Sequence, residues 1–146
     1  MLEIILDQFK WVLCVEIYAF IFDNLIRIYK SGCFCSNIPK RKKEFFGLST
    51  LIEAIIEEIV FRLPIVILNW YFDEFRLILI QGILFGLAHW WSIRERKLII
   101  KMFRLLHLTG VGIFLGHIAT RSSYGFWTAC LSHYLHNMIA HYLNYC

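Results

Sequence analysis

The sequence predicts an all-α fold, a polytopic transmembrane helix bundle of about five spans, and three observations predict it. The first is composition: of 146 residues, 59% are hydrophobic, 17% aromatic and only 18% charged, with a mean hydropathy of +0.60. A soluble domain carries about 25% charged and about 45–50% apolar residues, so the excess here is larger than a water-soluble core needs. The second is a series of apolar runs of helical length. The third is the placing of charge, which collects between those runs and is basic on alternate sides.

The first run covers residues 11–29 and is broken only by Glu16, Asp23, Asn24 and Arg27. A soluble amphipathic helix would show a charged face opposite its apolar stripe, and this one is apolar nearly all round. Lys30 and the run Lys40, Arg41, Lys42 and Lys43 follow it, which places that connection in the cytoplasm. The second run, 47–71, holds Glu53, Glu57, Glu58 and Arg62, with Pro64 expected to bend it just past Arg62. Asp73 and Glu74 then fall outside. The third run, 75–91, is short, has Gln81 as its one interior polar side chain, and ends on His89, Trp90 and Trp91.

Arg94, Arg96 and Lys97, with Glu95, return the chain to the inside. The fourth run, 98–120, contains Lys101, Arg104, His107 and His117, which either line a cavity or reach for the interface. Arg121 stands outside. The fifth run, 125–145, contains His133, His136, Asn137 and His141. Each run is near the roughly 20 residues that cross the hydrocarbon at about 1.5 Å per residue. Trp11, Tyr29, Trp70, Tyr71, Tyr124, Tyr142 and Tyr145 mark run ends, where amphipathic rings settle.

No linker, repeat or low-complexity stretch divides the chain, so residues 1–146 form one membrane-embedded domain. The start lacks a basic leader with a small-residue cleavage site, so the first span is expected to act as its own insertion signal. The formal charge is +4. Its only dense basic run lies beside a span and reads as an orientation signal or a contact with lipid headgroups rather than nucleic acid. Five cysteines, Cys14, Cys33, Cys35, Cys130 and Cys146, show no paired metal-ligand spacing.

Ionisable residues inside spans are costly and are functional candidates by default. Glu58 and Arg62 are spaced i,i+4 and can pair along one helix face. Glu57 points about 100° away and must find another neighbour. Alone, this pattern reads equally well as a structural ion-pair network. His89 sits one turn after Phe85, with Gly86 and Ala88 permitting close helix approach. His133 and Asn137 are one turn apart on an otherwise apolar helix, which alone favours packing between helices over chemistry. Depth links the three. Glu57 lies roughly 15 Å from the cytoplasmic start of its span, and the alternating loops bring His89, His133 and Asn137 into the same cytoplasmic half.

Glu57-Glu58-x-x-x-Arg62, Phe85-x-x-x-His89 and His133-x-x-x-Asn137, in that order on spans two, three and five, resemble the three signatures of the CAAX-protease and bacteriocin-processing family. The resemblance runs over residues 47–141 and takes in Phe61 and the stretch from Gly82 to His89, as well as Gly112, Gly116 and Gly125-Phe126-Trp127. It implies an intramembrane glutamic endopeptidase. In that pattern Glu57 is the catalytic glutamate, His89 helps hold and activate water, and His133 with Asn137 stabilises the oxyanion. Glu58 and Arg62 support the first motif. Relatives remove the C-terminal tripeptide of prenylated proteins, or act in bacterial peptide maturation and bacteriocin immunity.

The substrate so implied is a peptide or prenylated protein C-terminus reached from the cytoplasm, through a cavity open to that side. The membrane would be the plasma membrane in a bacterium or the endoplasmic reticulum in a eukaryote. The pattern departs from the family in one place: Leu63-Pro64 follows Arg62 where glycine is usual. A single helix before the core leaves oligomerisation open. A membrane immunity protein that keeps the site but works by binding is the competing reading. Two glutamates and several histidines could also hold zinc, but the His-Glu-x-x-His arrangement is absent, and no metal or cofactor is expected.

Overall fold

The computed structural model describes residues 2–31, 47–93 and 97–143, and all regular structure among them is helical. Six helices follow in order: α1 (Leu2–Ser31), α2 (Leu48–Phe61), α3 (Leu63–Leu68), α4 (Glu74–Ala88), α5 (Leu98–Thr120) and α6 (Gly125–Leu143). The basic run at 40–43, Cys33, Cys35 and Arg94 to Arg96, on which the loop-charge reading rests, lie outside the described residues.

The expected second span is two helices. Pro64 lacks an amide hydrogen, so the ladder cannot continue to the carbonyl four residues back. Helix α2 therefore closes with the Arg62 amide on the Glu58 carbonyl at 2.8 Å, and α3 restarts with Val66 on Arg62 at 3.0 Å. The bend puts Arg62 at the joint. Helix α4 begins at Asp73, whose carboxylate accepts the Arg76 amide at 2.8 Å as an N-cap. It ends one residue before His89, whose Nδ1 donates to the Phe85 carbonyl at 2.8 Å. That bond satisfies one of the carbonyls left unpaired at a helix end.

Helix α5 has the bounds the apolar run predicts. It is also the one helix among the described residues that is both long and apolar enough to cross a membrane. It is central as well, packing on α4, α6, α1 and α3, while α2 packs on α6. The α4–α5 approach is close because Gly112 faces Gly82: a Cβ on Gly112 would lie 3.1 Å from the Gly82 Cα and 3.0 Å from the Phe85 ring. Val15, Val111, Leu115, Ile118, Ala119 and Ala129 form a buried cluster where α1, α5 and α6 meet.

The outer faces carry large apolar side chains on every helix. Phe9, Leu25, Ile56, Ile67, Ile80, Leu106 and Leu131 are all at least half exposed. Soluble monomers rarely leave contiguous apolar patches beyond a few hundred Å², whereas lipid accepts them at no cost.

Candidate active site

Helices α2, α4 and α6 bring five of the six polar motif side chains together. Glu58 and Arg62 are wholly buried, and Arg62 Nε stands 3.2 Å from Glu58 Oε2 along the helix face. The other Glu58 oxygen, Oε1, is 2.8 Å from His133 Nδ1 on α6. Glu58 is thus held on both sides, by a guanidinium and by an imidazole.

Glu57 points elsewhere, as the 100° step requires. Its side chain is 34% exposed and its Oε2 lies 3.7 Å from His89 Nε2 and 3.6 Å from His133 Nε2. That oxygen has no hydrogen-bond partner. The difference between the two glutamates decides their chemistry. Glu58 has its charge neutralised in place, while Glu57, on a partly exposed side chain, keeps a buried and unbonded oxygen between two histidine nitrogens.

The hydrogen bonds constrain the histidines as well. His89 Nδ1 faces a carbonyl, which only accepts, so Nδ1 carries the proton and Nε2 toward Glu57 holds the lone pair in the neutral ring. His133 Nδ1 faces the Glu58 carboxylate and is its donor in the same way. A hydrogen-bond donor at His133 Nε2 therefore requires the imidazolium, whose charge Glu58 would balance.

Asn137 lies one turn beyond His133 on α6 and is half-buried. Among the described residues, no hydrogen bond joins its side chain to Glu57, Glu58, His89 or His133. The side chain of His141 lies outside the described set.

Phe85 is the residue whose weight the sequence did not reveal. It is 1% exposed and touches three members of the site. Its ring lies 4.2 Å under the Arg62 guanidinium, 4.6 Å from the His89 ring and 5.8 Å edge-on from His133. Phe61 meets it edge-to-face at 5.2 Å. The signal was present in the i,i+4 spacing of Phe85 and His89, but a phenylalanine in an apolar run carries no mark of its own.

The four polar residues of α5 also find places. Lys101 Nζ lies 4.0 Å above the Trp90 ring, and Arg104 Nη1 and His107 Nδ1 stand 3.8 and 3.9 Å from Asp23 Oδ1. The His117 ring meets Trp11 edge-on at 4.4 Å. None of these is a contact of Glu57.

An apolar cavity of about 300 Å³ lies between α1 and α5, lined by Phe22, Ile26, Tyr29, Ile100 and Phe103 among others. It includes no residue of the three motifs, so it is not the cavity the sequence led one to expect beside Glu57. Among the described residues no group of three or more His, Cys, Asp or Glu side chains is arranged to hold a metal ion.

A family model described as type II CAAX prenyl endopeptidase Rce1-like matches residues 44–139. No curated protein and no solved structure matches the chain.

Proposed function

The chain belongs to the Rce1-like family of type II CAAX prenyl endopeptidases, and on that premise we propose that it is an intramembrane glutamic endopeptidase acting near the C-terminus of a prenylated protein. Membership agrees with the resemblance read from the motifs and makes the chain one of a family of integral membrane proteases. Multi-pass insertion, the single domain and the individual catalytic roles are part of this reading.

The observation that carries it is the unbonded Glu57 Oε2, set 3.7 Å from His89 Nε2 and 3.6 Å from His133 Nε2. Water is a weak nucleophile at neutral pH and needs a base within hydrogen-bond reach. Glu57 is that base. Its oxygen takes the proton as the water oxygen attacks the scissile carbonyl, while the His89 Nε2 lone pair accepts the water's second hydrogen and orients it.

Charge then develops on the carbonyl oxygen. His133 as imidazolium and the Asn137 amide supply donors, each worth about 3–4 kcal/mol when well placed at the transition state. Glu58, shared between His133 and Arg62, keeps the His133 ring aimed. Glu57 returns its proton to the leaving amine, and peptide and shortened protein separate.

Cleavage of a panel of peptides, farnesylated ones included, by the wild-type protein and Glu57→Gln tests this, each with and without a chelator. Cleavage that survives chelation and vanishes in the variant is the expected result. An equal rate in the variant removes Glu57 from the chemistry.

A further inference from the structure

Helix α1 lies outside the segment matched by the family model, yet it sends two carboxylates into the bundle. Glu16 and Asp23 are seven residues apart, about two turns, and share one helix face. Glu16 Oε2 stands 3.7 Å from His136 Nδ1 on α6, with the two side chains 17% and 10% exposed. Asp23 Oδ1 faces His107 and Arg104 of α5. The His107 and His136 rings meet edge-to-face at 6.1 Å, and Phe22 stacks on His107 at 5.6 Å. Glu16 Oε1 and His107 Nε2 are buried without hydrogen-bond partners. Polar groups are expensive at this depth, and this set takes no part in the chemistry assigned to Glu57.

Its position on α6 is informative. His136 comes three residues after His133 and one before Asn137. Two carboxylates therefore hold α6 from different helices: Glu58 of α2 on His133 Nδ1 at 2.8 Å, and Glu16 of α1 on His136 Nδ1 at 3.7 Å. Side chains at i and i+3 leave a helix about 60° apart. A single polar contact leaves the rotation of α6 to its apolar packing on α5 and α1. Two contacts, from separate neighbours and in different directions, fix both rotation and height.

We propose that Glu16 and His136 are positioning residues: their contact sets the rotation of α6 and thereby the aim of His133 and Asn137 at Glu57. The inference rests on the protease reading for its effect on rate, but its structural content does not depend on that reading. A displacement of about 1 Å at a catalytic group can cost about a hundredfold in rate, so a pair one turn away has the leverage required.

The test uses the full chain in nanodiscs, with Glu16→Gln and the conservative Glu16→Asp beside the wild type. Two quantities are read: the ¹⁵N imidazole resonances of His133, assigned by their loss in His133→Asn, and kcat and KM on whichever peptide the wild type cleaves. In folded Glu16→Gln the His133 resonances should move and kcat should fall about ten- to a hundredfold with KM nearly unchanged. Glu16→Asp should restore most of both.

Unmoved His133 resonances in folded Glu16→Gln would overturn the proposal, as would a rate loss that Glu16→Asp does not recover. Failure of the wild type to cleave any peptide would count against the protease reading alone, because the resonances of His133 would still decide whether Glu16 controls them.

Discussion

Glu58 Oε1 lies 2.8 Å from His133 Nδ1, a buried contact between residues 75 positions apart, and it is the point at which α2 and α6 are tied into one site. Because the other Glu58 oxygen faces Arg62 Nε at 3.2 Å, two wholly or nearly buried ionisable groups, Arg62 and His133, depend on one carboxylate. Glu57, its neighbour in sequence, has none of these ties.

That asymmetry separates the two glutamates by stability. Glu58→Gln leaves the Arg62 guanidinium buried without its counter-charge, and breaking a buried pair this way costs about 3–5 kcal/mol. Glu57→Gln removes no hydrogen bond and should shift stability by no more than about 0.5 kcal/mol. Reversible unfolding in mixed detergent micelles reads both. Equal losses would mean that Glu57 is as structural as Glu58, and the division of roles between them would fall.

The ring of Phe85 transmits packing changes to the site. A Cβ on Gly112 would stand 3.0 Å from Phe85 Cδ1 and 3.1 Å from the Gly82 Cα, and the backbone on the Gly82 side cannot yield. Gly112→Ala should therefore displace the ring that Arg62, His89 and His133 all touch. The overpacking costs about 1–3 kcal/mol, and kcat should fall although no polar group has been altered. A variant with wild-type kcat and lowered stability would show that Phe85 supports the fold without setting the histidines.

Asn137 is expected to act only once charge has formed on the substrate. Asn137→Ala should lower kcat by about 10²–10³ and leave KM within a few-fold, the pattern of a lost transition-state donor. The reverse pattern, raised KM with kcat kept, would make Asn137 a binding residue.

Much of this was legible in the residues, and the reasons are specific. The i,i+4 spacing of Glu58 and Arg62 foretold their pairing, the 100° step foretold that Glu57 would face another helix, and Pro64 foretold a bend just past Arg62, although the structure breaks there into two helices. The apolar run from Leu98 to Thr120 fixed α5 to the residue. Long-range pairing was not legible. Nothing in the local pattern of α1 says that Glu16 meets His136 or that Asp23 lies between Arg104 and His107, since those partners are chosen by how α1 leans on α5 and α6. Nor could the start of α1 at Leu2 be read from hydropathy, because Asp7 and Lys10 dilute the apolar signal in its first turns.

The two ends of the bundle differ in charge, and the difference sets which one faces the cytoplasm. Two sets of contacts define the ends. Lys101 lies over Trp90, next to His89, whereas Thr120 donates to Glu74 at 2.7 Å and Arg121 meets Asp7 at 3.3 Å. The start of α5 thus shares an end with His89, and its finish shares the opposite end with the starts of α1 and α4. Lys97, Lys101 and Arg104 make the His89 end the more basic one, and basic residues stay on the cytoplasmic side. In a chain cleared of its own five cysteines, a cysteine at Lys97 should react with an impermeant maleimide only after the membrane is opened. With the chain expressed in a bacterial plasma membrane, one at Ser123 should react in intact cells. Reversed labelling would place Glu57 and His89 in the far half of the bilayer, away from any cytoplasmic substrate tail, and the prenylated-protein reading would fail with it.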